Sequence, residues 1–419
     1  MRDERPRRPA ATQQRGRQRR AVIVDAATRL VNERGFRQVT LKSIAEAADV
    51  PVASIYHYFP DVDALISAVA AGHIGRLEAA VRAVFERGAP SFEDLLHDRV
   101  DALHRALAAE PGLRELLYAR RKSARMLHAY KDFRTFLAVS LWEQARQRLP
   151  DPGEPLLYQM ITDAAAALWE FAFELDPDGN PWVVAEITRG SLRLLHRHGL
   201  IAEPPPRRGT RGGAPVPAAP SVGPWNAEPP RQERGRERRA AILNAAAEIV
   251  DEHGPHGAEV TLQAIADRAG VPMASVYHYF RDFDSVIESV VVTYMEELAA
   301  AIAEAHDATP PDSTAHAGRV IAACQEFFTA RPGLRQLWFD RQATPGVLAV
   351  HAHFRRLIAE QSLAWVARRT GRCGQLVDYL MAIAAGAALW ELAFALDPAG
   401  DPTVVREIRA MMTEFAEAL

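Results

Sequence analysis

The chain is short of cysteine, of lysine and of long apolar runs. Among 419 residues only Cys324 and Cys373 are cysteines, too few and too far apart for a zinc ribbon or a disulfide framework. Both read as buried, inert thiols in a reducing compartment. Lysine occurs only at Lys42, Lys122 and Lys131, so arginine supplies nearly all the positive charge. No apolar run approaches the roughly 20 residues that cross a bilayer, and no N-terminal segment resembles a signal peptide. The expectation is a cytoplasmic, soluble protein with no membrane partner. The sequence also shows no phosphate-binding glycine loop, no metal cluster and no nucleophile with a base at readable spacing. Those gaps speak against an enzyme and leave no cofactor or metal to expect.

What is present is a duplication. Residues 15–35, "RGRQRRAVIVDAATRLVNERG", are answered at 234–254 by "RGRERRAAILNAAAEIVDEHG". The second copy is two residues longer in its His256–Glu259 loop and then stays in register: "EPGLRELLYARR" pairs with "RPGLRQLWFDRQ", and "AALWEFAFELDPDGNP" with "AALWELAFALDPAGDP". Such a period is too long for a solenoid, so each copy reads as a complete folding unit. Between them, residues 203–230 hold nine prolines and four glycines, a linker that spans roughly 30 Å as a coil and ~85 Å fully extended. The formal net charge of -3 hides eight arginines within the first 20 residues. That run reads either as an arm that meets phosphates or as a solvated tail.

Within each copy the periodicity is helical. Leu157, Ile161, Ala164, Leu168, Phe171 and Leu175 step by three and four, forming one stripe, and Tyr130, Phe133, Leu137 and Leu141 form another. No segment alternates with period two, so the predicted fold is all-α. In "TLKSIAEAADVPVASIYHYF" Thr40 is placed as an N-cap, Asp49 marks a break, and Pro51 suits the start of a second short helix. Gly270 stands at the matching break in copy two. Ile55 and Phe59 would close onto Ile44. This leaves Val52, Ala53, Ser54, Tyr56, His57 and Tyr58 toward the outer face or its edge, where small apolar groups and serine can touch base edges and tyrosine and histidine can meet phosphates. An isolated "YHYF" would read equally well as a core plug; its recurrence with the same flanking turn favours DNA contact.

The basic stretch, a first helix ending "NERGF", and "TLKSIAEAADVPVASIYHYFPDVDALISAV" together resemble the DNA-binding domain of TetR-family transcriptional regulators. "TLQAIADRAGVPMASVYHYFRDFDSVIESV" resembles it equally. The resemblance implies that Thr40 and Lys42 meet the backbone or groove edge and that Val52, Ala53, Ser54, Tyr56, His57 and Tyr58 occupy recognition-helix positions. In copy two these are Thr261, Gln263, Met273, Ala274, Ser275, Tyr277, His278 and Tyr279. The chain departs from the family pattern at Ala53 and Ala274, where glycine is usual, and at Val62 and Phe283, where a phosphate-binding lysine is usual.

The expected layout is a basic disordered arm at 1–17, a first helix-turn-helix domain at 18–65 and a first helical core at 66–202. The linker at 203–230 follows, then a second helix-turn-helix domain with its arm at 231–286 and a second core at 287–419. The resemblance implies a monomer acting as an intramolecular pseudo-dimer, a ligand-responsive repressor that binds an imperfect palindrome of double-stranded DNA. It further implies an apolar or aromatic small-molecule inducer. Candidate pocket residues are Tyr118, Tyr130, Phe133, Trp169 and Phe173 in the first core, with Trp338, Phe354, Trp390 and Phe394 in the second, though an aromatic stripe also suits plain core. A second reading stays open: a ligand-binding or protein-interaction scaffold whose DNA motifs are weakened, as the missing lysines would allow.

Overall fold

The computed structural model describes residues 10–118, 124–202, 232–307, 312–339, 344–371 and 374–418, and every regular element among them is helical. The first copy runs through α1 (Ala10–Arg34), a 3-10 turn at Phe36–Gln38, α2 (Leu41–Ala47), α3 (Val52–Tyr58), α4 (Val62–Arg87), α5 (Phe92–Ala109), α6 (Pro111–Tyr118), α7 (Ala124–Arg148), α8 (Pro155–Leu175) and α9 (Pro181–Arg197). The second repeats the order of the α-helices, without the 3-10 turn, in α10 (Glu233–His253), α11 (Leu262–Ala269), α12 (Met273–Tyr279), α13 (Phe283–Asp307), α14 (Ser313–Ala330), α15 (Pro332–Phe339), α16 (Pro345–Thr370), α17 (Leu376–Leu396) and α18 (Pro402–Ala418). The predicted linker at 203–230 and Cys373 lie outside the described residues. Cys324 is buried, and burial pushes its thiol up to about 12.

Two expectations change. Residues 10–17 extend α1 rather than forming a disordered arm; their alanines, glutamines and arginines are good helix formers. α4 and α13 run straight through residues 65 and 286, where the expected heads end, because each begins at an aspartate cap, Asp61 or Asp282, and meets no breaker afterwards. By length and composition alone α4 and α17 would also reach across a membrane, against the reading that no segment could. Buried side chains such as Leu65, Val69 and Leu77 on α4, and Met381, Leu389 and Trp390 on α17, mark both as core helices.

The chain divides into two compact units. The first holds 1–162, 176–179 and 190–203. In it, Ile23, Ala27 and Val31 of α1 pack with Ile44, Ile55 and Phe59 of the head and with Leu65 and Val69 of α4; Leu113 and Leu116 of α6 complete the cluster. Helix α6 comes so close to α1 that a Cβ on Gly112 would collide with the Val31 backbone, and the Gly112 amide donates to Asn32 Oδ1 at 3.1 Å.

The second unit holds 204–419 together with 163–175 and 180–189 from the first copy. Its centre is α17, with Phe328 of α14 set among Trp338, Phe339, Trp390 and Phe394. Gly333 repeats the close approach, meeting the Val250 backbone and donating its amide to Asp251 Oδ1 at 2.6 Å. Within this unit Trp182 donates its indole N–H to Asp378 Oδ1 at 3.2 Å, and Arg355 lies 3.8 Å from Glu174.

Candidate nucleic-acid interface

Each head is a pair of short helices held at a fixed angle by local chemistry. Thr40 Oγ1 accepts from the Ser43 amide at 3.1 Å while Ser43 Oγ accepts from the Thr40 amide at 3.1 Å, a reciprocal capping box that starts α2. Thr261 caps α11 through the Ala264 amide at 3.2 Å. The chain turns through left-handed backbone at Asp49, φ 51°, and at Gly270, φ 64°. Pro51 and Pro272, with φ near the value proline fixes, then launch α3 and α12.

The helix pattern sorts these residues as the spacing predicts. Ile55 and Phe59 are buried, as are Val276 and Phe280. Arg20 of α1 lies 4.8 Å over the Phe59 ring and Arg239 of α10 lies 5.4 Å over Phe280, so the same cation–ring contact pins the end of each second helix. Val52, Ala53, Tyr56 and His57 are exposed, with Ser54 and Tyr58 half-buried. In copy two Ala274, Tyr277 and His278 are exposed, with Met273, Ser275 and Tyr279 half-buried. Tyr56 and Tyr277 leave 54% and 57% of their surface in solvent, an unusual cost for large aromatic side chains and one that a partner surface would offset. His57 meets the edge of Tyr58 at 5.0 Å, and His278 that of Tyr279 at 4.8 Å, so the two faces carry the same aromatic arrangement.

The heads differ at their edges. Lys42 is exposed, whereas Gln263 in its place donates to Asp267 Oδ1 at 2.8 Å and is tethered along α11. Thr40 and Thr261 are exposed but spend a side-chain oxygen on the helix caps. Val62, where the resemblance leads one to look for lysine, opens α4 with 46% exposure. Arg281, not among the expected contacts, follows α12 where copy one has Pro60; its side chain is 84% exposed and lies 2.7 Å from Asp282. Its signal was a charge present in one copy and absent from the other, Arg281 against Pro60. Arg15, Arg17 and Arg19 on α1, with Arg234, Arg236 and Arg238 on α10, are exposed cations on the same two heads.

The aromatic residues proposed for a pocket belong to different compact units. Tyr118, Tyr130 and Phe133 belong to the first unit, while Trp169 and Phe173, stacked at 6.1 Å, belong to the second. Trp338, Trp390 and Phe394 gather around Phe328, which the sequence reading did not single out, and Phe354 is buried on α16.

Two capped helix-turn-helix heads, each displaying a solvent-facing second helix, define a helix-turn-helix protein with a duplicated head. Residues 23–69 and 242–290 each match the profile of bacterial regulatory proteins of the tetR family, and residues 311–415 match a tetracyclin repressor-like C-terminal domain. The chain belongs to the TetR family, as a tandem duplication within one polypeptide. It is 31% identical over 101 residues to the HTH-type transcriptional repressor KstR of Mycobacterium tuberculosis, covering 24% of this chain and 46% of that repressor. Over 86 residues it is 31% identical to the HTH-type transcriptional regulator BetI of Burkholderia ambifaria, covering 20% of this chain and 43% of that regulator. The chain thus spans about half the length of the curated relatives it matches. Among solved structures, a TetR-family regulator from Streptomyces coelicolor is similar at 23% identity and a TM-score of 0.34, covering 42% of this chain and 96% of that one.

Proposed function

We propose that this chain is a cytoplasmic, ligand-responsive transcriptional repressor that binds an imperfect palindrome with both recognition helices of a single monomer. The observation that carries this reading is the recurrence, on two independently capped scaffolds, of the same exposed face of tyrosine, histidine and small residues. Base-edge contacts would come from positions 52–54 and 273–275 and phosphate contacts from the tyrosines, the histidines and the exposed arginines. Lys42 against Gln263, and Pro60 against Arg281, make the two half-sites chemically different, which favours an imperfect rather than a perfect repeat.

The pseudo-dimer draws support from the second unit, where residues 163–175 and 180–189 of copy one pack with copy two. The Trp182–Asp378 bond is heterologous: the positions related to these by the repeat are Thr403 and Leu157, which lack the indole donor and the carboxylate. A ligand that binds one arrangement of the cores better than another would shift the spacing of the heads by that differential affinity. An apolar or aromatic inducer suits the aromatic residues on both cores.

Two measurements test the reading. A gel shift on the DNA upstream of the chain's own coding sequence should show a complex at low salt; its absence would favour a scaffold with weakened DNA motifs. Light scattering should give the mass of one chain, and a stable species at twice that mass would argue for dimers carrying four heads.

A further inference from the structure

The first core buries a positive charge that no carboxylate among the described residues balances. Arg99 lies midway along α5 with 6% of its surface exposed, and its neighbours one turn away, Leu95, Leu96 and Leu103, are buried and apolar. Arginine is almost never buried this deeply unless it is paired. Glu186 and Asp378, buried as deeply, follow that rule: Glu186 meets Arg189 at 3.0 Å, and Asp378 accepts from the Trp182 indole at 3.2 Å. Arg99 meets only a shared backbone oxygen. Its Nη2 donates to the Leu137 carbonyl of α7 at 3.0 Å, which also accepts from Ser140 Oγ at 3.3 Å, while Nε is buried with no hydrogen-bond partner. Desolvation holds the guanidinium down to about 10, so it stays charged at neutral pH.

The surroundings suit a ligand with an apolar body. Leu137 lies on the buried stripe of α7 that carries Tyr130, Phe133 and Leu141, so the guanidinium meets α7 one turn beyond the aromatic residues expected to line a pocket. In the second copy the position matching Arg99 is Val320, and that core buries His306 and His316, which burial keeps uncharged. A buried guanidinium without a counter-ion costs stability, and the copy with valine keeps the same fold. Packing therefore gives no reason for Arg99, whereas binding of an anion does.

We propose that the first core binds an organic monoanion, a carboxylate whose oxygens accept from Arg99 Nε and from the guanidinium N–H groups that Leu137 leaves unused, with its carbon body against Tyr130 and Phe133. The planar guanidinium fork matches a carboxylate. One cation in an apolar setting balances one negative charge; a phosphate dianion would leave its second charge uncompensated. On the reading that the cores take a small-molecule inducer, that inducer carries a negative charge and occupies the first core, not the second.

Calorimetric titration of the full chain with sodium benzoate, against its neutral counterpart benzamide, tests the site without DNA. One saturable site per chain is expected for benzoate, with benzamide weaker by about tenfold or more because the charge-assisted bonds are lost. Arg99→Met should weaken benzoate by about tenfold or more, whereas His316→Leu in the second core should leave its affinity unchanged. Absence of saturable benzoate binding up to about 10 mM, equal affinity for the two probes, or a benzoate site indifferent to Arg99→Met would each overturn the proposal. Thermal melts separate a binding role from a structural one. Without ligand, Arg99→Met should melt no lower than wild type, since an apolar side chain replaces an unpaired charge; a lower melt would make Arg99 a structural tie between α5 and α7 and overturn its assignment. Benzoate, and not benzamide, should also raise the melting temperature of wild type, a readout that needs no variant, and equal shifts would sink the proposal. A chain that binds benzoate but fails to shift DNA counts against the repressor reading and leaves this site standing, while a chain that shifts DNA and binds no benzoate loses the site alone.

Discussion

The two heads and the two cores have diverged in different ways. The heads keep one geometry: the same threonine caps, the same left-handed turn, the same arginine over the same buried phenylalanine, the same exposed tyrosine and histidine before it. The cores keep the fold but exchange its chemistry. Where copy one has Phe85, Leu95, Leu141 and Gln144, copy two has His306, His316, Ser362 and Trp365. His306 Nδ1 lies 3.1 Å from His316 Nε2, the His316 ring stacks on Trp365 at 3.5 Å, and both histidines are buried. On the proposal that the heads meet a DNA groove, their surface tolerates little change, whereas a core needs only volume and satisfied polar groups.

The backbone contact shared by both copies should be the hardest to alter. Gly112→Ala and Gly333→Ala each force α6 or α15 away from the first helix of its head, and each should cost about 3 kcal/mol or more in thermal or denaturant unfolding. Equal losses in both copies would mark the junction as the invariant part of the design. Tolerance of either alanine would show that the junction yields.

The histidine pair should give the next largest effect, in one copy only. Burial pushes both rings down to about 4, with Arg319, Arg368 and Arg369 acting in the same direction and Asp307 opposing at His306. Folded, the rings stay neutral; unfolded, they take up protons as pH falls through their ordinary value near 6.5. The second unit should therefore be most stable above pH 6.5, lose stability between 6.5 and 4, and level off below, a loss on the order of a few kcal/mol for the pair. The double variant His306→Phe with His316→Leu, restoring the residues of copy one, should flatten that slope in melts recorded across pH.

Much of this was legible in the sequence. Thr40, Gly270 and the Ile44, Ile55, Phe59 triad place the heads because caps, turns and four-residue steps are local signals. The continuous α4 was missed because a helix crossing a functional boundary leaves no breaker to read. His306–His316 and Trp182–Asp378 were missed for another reason: each joins side chains from separate helices, and only tertiary packing shows that a histidine ten residues from another, or a tryptophan 196 residues from an aspartate, is its partner. Trp182→Phe should cost about 1 kcal/mol by leaving the buried Asp378 without that donor. Thr403→Val, at the repeat-related position, should cost less; equal costs would argue that the pairing of copies is symmetric after all.

Exchanging Val52 and Met273 probes the heads at the scale of one base contact. Selection of binding sites from a random DNA pool should return an operator with its half-site preferences altered at the contacted base pair, by about 1 kcal/mol. An unchanged operator would remove these two positions from the readout and leave Lys42, Gln263 and Arg281 as the source of half-site difference.

The smallest effect concerns the turn itself. Asp49 holds φ 51° where Gly270 holds 64°, and an L-residue pays a steric cost there that glycine does not. Glycine also loses more backbone entropy on folding, which offsets part of the gain. Asp49→Gly should therefore stabilise the first head by only about 0.5 kcal/mol, and Gly270→Asp should destabilise the second by a similar amount. Hydrogen exchange at the Ile44 and Ile265 amides would resolve both. Since neither residue lies on the exposed face of α3 or α12, operator preference should not move; a change in preference would mean that the turn sets the angle at which the recognition helix enters the groove.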